Sequence, residues 1–167
     1  MLTLTTTLTY AAPAAEVAAL YADPSYAHER AAAFGATVQE TSVQGTPEDG
    51  FTVTTLMSAS TEALSPKLRR FAGASVTVTD TQAWTPVGDG SYRGTISMAT
   101  KGVPASLEGT FTLTDTADGS RMSIDATLTV AIPFVGSAIE KTAEKHVSTA
   151  LKTEEQASTS ALAKRRG

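Results

Sequence analysis

Few side chains in this 167-residue chain suit acid–base work near neutral pH: there are two histidines, His28 and His146, and no cysteine. Imidazole titrates near neutrality and is the usual proton-transfer group. Neither histidine stands in an HxH, HxxxH or HExxH spacing, and no Ser or acid completes an identifiable triad. His146 follows Ile139 and Ala143 along an apolar stripe and adjoins Val147, a position at the edge of a cavity mouth; His28 lies among Glu29, Arg30 and a run of Ala. Asp80 and Gln82 are the polar exceptions in an otherwise apolar alternation. A buried carboxylate or amide must find a partner, and three partners suit these two: a ligand hydroxyl or carbonyl, an Arg or backbone group, or solvent reached through a β-bulge. His146 and Asp80 are thus the only catalytic candidates. The missing cysteines exclude a thiol nucleophile, a disulfide scaffold, a zinc ribbon and a cysteine-held iron–sulfur cluster. With no Gly-rich phosphate cradle either, no metal or cofactor is expected.

The elements that must position these residues follow from two periodicities. Threonine recurs at every second position with apolar residues between, as in Thr3, Thr5, Thr7 and Thr9 against Leu2, Leu4, Leu8 and Tyr10, and in Thr110 to Thr116 against Phe111 and Leu113. Period two marks a strand with one wet and one dry face, and β-branched Thr suits the pleated wet side. Turn signals at Gly45 to Gly50, Gly88-Asp89-Gly90 and Asp118-Gly119 separate such runs. Seven strands are predicted, in a mostly antiparallel sheet covered on one side. Alanine concentrates in helical stretches: one after Pro13, a second from the Asp23 N-cap and Pro24 to Gly35, and a long one opening at Ser137-Ala138-Ile139-Glu140, read as a capping box. The last carries Ile139, Ala143, Val147, Ala150, Leu151, Ala157 and Ala161 on one side and is the cover the sheet requires. The order is an α+β arrangement: strand, two short helices, six strands, long helix. No composition break divides the chain, so residues 1–167 are expected to form one domain, with 164–167 frayed.

Net charge is −4, with 13 Lys+Arg against 17 Asp+Glu, which argues against non-specific nucleic-acid binding. No apolar run approaches the ~20 residues of a membrane helix, and no secretory signal opens the chain. A cytoplasmic location is the expectation.

The element order resembles the helix-grip fold of the START, polyketide cyclase/dehydrase and Bet v 1-like (SRPBCC) superfamily. Leu68-Arg69-Arg70-Phe71 before Gly73, the strand ending in Trp84, the Gly102-Val103-Pro104 turn, and Ile132-Pro133-Phe134-Val135-Gly136 with Ile139-Glu140 resemble an uncharacterised actinobacterial START-like family of unknown function. The resemblance implies a seven-stranded curved antiparallel sheet gripping a long C-terminal helix. It also implies a cavity between them for a lipid, sterol or polyketide-like molecule.

Alternation lists what such a cavity would offer: Phe51, Val53 and Met57; Val78, Asp80, Gln82 and Trp84; Tyr92, Ile96 and Met98; Phe111 and Leu113; and Ala143, His146, Val147 and Ala150 from the helix. Small helix residues, with Gly94 and Gly109 on the sheet, leave room for a ligand or let the helix pack closer. Between the third and fourth strands, Leu64, Leu68 and Phe71 fall at i, i+4 and i+7 beside Arg69 and Arg70. That segment is a lid, a transient foot on an anionic membrane, or a plug of the sheet's end. Binding of a small hydrophobic molecule is the leading expectation; a cyclase or dehydratase using His146 or Asp80, and a protein-interaction domain with a filled core, are the alternatives.

Overall fold

A computed structural model describes residues 1–62 and 66–166, with the side chains of Lys67 and Leu68 outside the description. Strand β1 (Leu2–Tyr10) leads into α1 (Ala14–Tyr21) and α2 (Pro24–Ala33). β2 (Ala36–Thr46) and β3 (Gly50–Ser60) follow, then the short α3 (Pro66–Ala72). β4 (Ser75–Gly88), β5 (Ser91–Lys101), β6 (Ala105–Thr116) and β7 (Gly119–Val130) form a meander, and α4 (Gly136–Lys145) and α5 (Val147–Arg166) complete the chain. The seven strands make one antiparallel sheet in the order β1-β7-β6-β5-β4-β3-β2. This is the α+β helix-grip architecture expected.

The threonine alternation translates directly into faces. Thr3, Thr5, Thr7 and Thr9 are exposed, as are Thr110, Thr112, Thr114 and Thr116, while their neighbours turn to the helices. Register then aligns the dry-face residues in rows across the sheet. One row runs Phe51–Trp84–Gly94–Phe111–Ile124, the next Val53–Gln82–Ile96–Gly109–Ala126–Leu4, and the next Thr55–Asp80–Met98–Leu107–Leu128–Leu2. α5 packs on β1 at one edge and on α2, which covers β2, at the other. It therefore bridges the rims of the curved sheet.

Several local details differ from expectation. The C-terminal cover is two helices jointed at His146, whose backbone (φ −100°, ψ 0°) caps α4. Glu140 does not close a capping box; its carboxylate accepts from the Val130 N–H at 2.9 Å, tying α4 to the end of β7. The buried strand-end donor takes the carboxylate that the helix N-terminus would otherwise use. Lys164, Arg165 and Arg166 are helical, and they pair with Glu16 of α1, Glu29 of α2 and Asp23, the N-cap of α2. The Asp23 cap forms as expected, accepting from the Ser25 N–H at 2.9 Å.

Candidate functional site

The dry face divides into two halves. At the end covered by α1, Trp84 is enclosed by Phe51, Tyr21, Tyr92 and Phe111, with ring centroids 4.7 to 6.0 Å away. With Val17, Leu113 and Met122 these rings form a closed core. Gly94 leaves no room here: a Cβ would stand 2.4 Å from Phe111 Cζ, so the ring occupies the space that the missing side chain vacates. At the other end, Leu2, Leu4, Val78, Ile96, Met98, Leu107 and Leu128 are only half-buried. Ile139, Ala143, Val147 and Leu151 of α4 and α5 are half-buried as well.

A line of polar groups crosses the space between sheet and helices. Arg30 of α2 shares its Nε–H between both oxygens of Glu154 on α5, at 2.7 and 2.9 Å. Its NH1 donates to Asp80 Oδ2 at 2.8 Å. The Tyr21 hydroxyl also donates to Glu154. Since that proton is committed, the Tyr10 hydroxyl is the donor in its 3.0 Å contact with Tyr21. β1, α1, α5, α2 and β4 are thereby connected by one hydrogen-bonded chain, and in a low-dielectric interior each link strengthens its neighbours. Burial works against the Arg30 charge, but the fields of Glu154 and Asp80 outweigh it and hold the guanidinium above its ordinary pKa. Burial, reinforced by the Glu154 charge, pushes the Tyr10, Tyr21 and Tyr26 hydroxyls well above the usual phenol range.

Two atoms of this cluster are buried without a partner, Asp80 Oδ1 and the Tyr26 hydroxyl. Orphaned polar atoms are rare in folded interiors. Asp80 stands in the row of Met98, Leu107 and Leu128, so its free oxygen belongs to the half of the face whose apolar side chains are incompletely covered.

Among the ligand-lining candidates, Phe51, Val53, Met57, Trp84, Tyr92, Phe111 and Leu113 are buried, as are Asp80 and Gln82. β4 keeps its register from Ser75 to Pro86, so no bulge turns Asp80 and Gln82 outward; Gln82 accepts from Trp84 Nε1 at 3.2 Å. Val78, Ile96, Met98, Ala143 and Val147 are half-buried. His146, Ala150 and His28 are exposed, and neither histidine joins the Asp80 cluster. Arg69, Arg70 and Phe71 lie exposed on α3; Leu64 and the Leu68 side chain fall outside the described residues. Sequence reasoning missed Glu154 and the role of Arg30. The signal was present, for Glu154 interrupts the stripe between Leu151 and Ser158 at helical spacing, and a carboxylate there needs a buried cation.

An open groove of about 590 Å³ runs between α2 and α5 over Ala32, Ala33, Ala157 and Ala161, and a cleft of about 320 Å³ lies between α1 and the end of α5. Both are lined by helix-bearing segments rather than the sheet. Among the described residues no cluster of three His, Asp or Glu side chains is placed to hold a metal ion, and no helix is long and apolar enough to cross a membrane.

Comparison with solved structures places this geometry in context. A Thermus thermophilus protein superposes with a TM-score of 0.64 at 14% identity, over 99% of this chain and 100% of that one. Ara h 8.0201 gives 0.51 at 12% identity, covering 93% of this chain and 95% of the other. Dicamba monooxygenase, solved with 3,6-dichlorosalicylic acid, gives 0.55 at 18% identity; 98% of this chain matches 50% of that one. At such identities the likeness is one of fold, the helix-grip fold shared with Bet v 1-like proteins. No curated protein matches the chain at a significant level. The model of a family described as a protein of unknown function, DUF2505, matches residues 5–162, and the chain belongs to that family.

Proposed function

We propose that the protein binds or carries a small hydrophobic molecule on the half-covered part of the concave sheet face, under α4 and α5. The observation that carries this reading is the unpartnered Asp80 Oδ1 in a row of half-buried aliphatic residues. Apolar walls with a few convergent polar groups are the usual make-up of a ligand site. Charge narrows the ligand class. The Arg30 guanidinium is spent on Glu154 and on Asp80 Oδ2, so the polar atom left over for a ligand donor is a carboxylate oxygen, Asp80 Oδ1. An apolar body with a hydroxyl or amine head satisfies it, as a sterol or long-chain alcohol would; a fatty acid places one carboxylate against another.

Val78, Ile96 and Met98 from the sequence expectation are the walls, joined by Leu107, the register partner of Met98, with Asp80 as the polar anchor and residues 1–167 acting as one cytoplasmic domain. Native mass spectrometry of protein incubated with a long-chain alcohol, amine or fatty acid tests it. One-to-one adducts with the alcohol or amine, and none with the acid, are expected. Equal adducts with all three remove the role of Asp80, and adducts with none remove the binding site.

A further inference from the structure

Of the exposed large apolar side chains among the described residues, Val87 lies by the β4–β5 turn, and the other four gather at the opposite end of the sheet. Phe34, Phe71 and Phe134 are exposed, Phe134 fully so, while Phe51 and Phe111 are core residues. Register places the exposed three at one end of the sheet. Phe34 precedes Ala36, which pairs with Ala59; Phe71 precedes Ser75, which pairs with Ser60; Phe134 follows Val130, which pairs with Ala105. Met1, also exposed, adjoins the same end through the Leu2–Leu128 pair. Phe134 has a left-handed backbone, φ +69°, which is costly for a bulky residue and here presents a side chain that contributes nothing to the core. Exposed Arg69, Arg70 and Lys101 belong to the same end, against exposed Glu62, in a chain whose net charge is −4.

We propose that this end of the sheet docks on an anionic lipid surface, with the three phenylalanines entering the interface and Arg69, Arg70 and Lys101 meeting lipid phosphates. From β2 to β7 the phenylalanines span about 24 Å along the sheet at the usual strand spacing, which suits an extended, deformable partner better than a compact one. Aromatic rings favour the headgroup boundary, and apolar burial with cation attraction adds up to reversible adsorption. The docking surface is separate from Asp80 and does not depend on the ligand reading.

The test is co-sedimentation of the full chain with phosphatidylcholine vesicles and with vesicles that also contain phosphatidylglycerol. Partition to the anionic vesicles alone is expected, weakening as salt is raised. Phe134→Ser should cut it about tenfold, and Arg69→Gln with Arg70→Gln about twentyfold. Circular dichroism checks that these surface variants stay folded. Leu107→Trp, which blocks the ligand site, should leave partition unchanged, separating the two proposals. The proposal is overturned by no partition to either vesicle, as a protein-binding end would give, by equal partition to both, or by partition that neither variant alters.

Discussion

Arg30 and Glu154 stand 124 positions apart in the chain, yet the guanidinium Nε–H lies 2.7 and 2.9 Å from the two oxygens of the carboxylate. Through NH1 the same guanidinium reaches Asp80 at 2.8 Å. One side chain on a short helix therefore holds α5 to the floor of the sheet, and the Arg30 side chain retains only 22% of its exposure while doing so.

Removing that cation leaves two buried carboxylates without a counter-charge. Arg30→Met should cost about 3 kcal/mol or more in denaturant unfolding. Adding Asp80→Asn and Glu154→Gln should restore most of the loss, since the uncompensated charge disappears. A triple variant no more stable than Arg30→Met would show that packing of the Arg30 stem, not charge, carries the effect.

The tyrosines set the alkaline limit. All four have raised pKa values; for Tyr10, Tyr21 and Tyr26 burial is the leading cause and the Glu154 charge the next. A folded-state pKa above the unfolded value of 10.0 means the native state keeps its proton where the unfolded chain has lost it. Stability is fully present below that pH and falls as pH rises beyond it. Tyrosinate absorbance should thus appear together with loss of the circular dichroism signal. Gradual ionisation near the free phenol value in a chain still folded would contradict the buried cluster.

Gly94 and Gly73 separate two reasons for glycine. A Cβ on Gly94 would meet Ala83 O at 2.1 Å and the Phe111 ring, whereas one on Gly73 meets nothing but a φ of +73°. Gly94→Ala should cost about 3 kcal/mol and Gly73→Ala about 1 kcal/mol, both read from denaturant midpoints. Equal costs would mean that the sheet opens to accept the methyl group.

The strands, the order of elements and the inward turn of Asp80 were legible because threonine alternation reports faces directly, and β4 carries no bulge near Asp80 to reverse them. The space beside Gly94 was misjudged from composition. Only the cross-strand register, which sets Gly94 opposite Phe111, reveals that a ring fills it. The joint at His146 and the use of Glu140 on Val130 N–H depend on how α4 meets the end of β7, a tertiary contact that local helix signals do not encode. Arg30 and Glu154 were readable as residue types but not as partners, since helical spacing places each on a face without saying which faces meet.

The central claim is that the Met98–Leu107–Leu128 part of the concave face holds an apolar ligand. Titration of the protein with a polarity-sensitive fluorescent long-chain alcohol, in the wild type and in Leu107→Trp, tests it most directly. Saturable one-to-one binding that Leu107→Trp weakens at least about tenfold, the worth of burying one large apolar side chain, is the predicted result. Absence of saturable binding to the wild type, or affinity unchanged by Leu107→Trp, would contradict it.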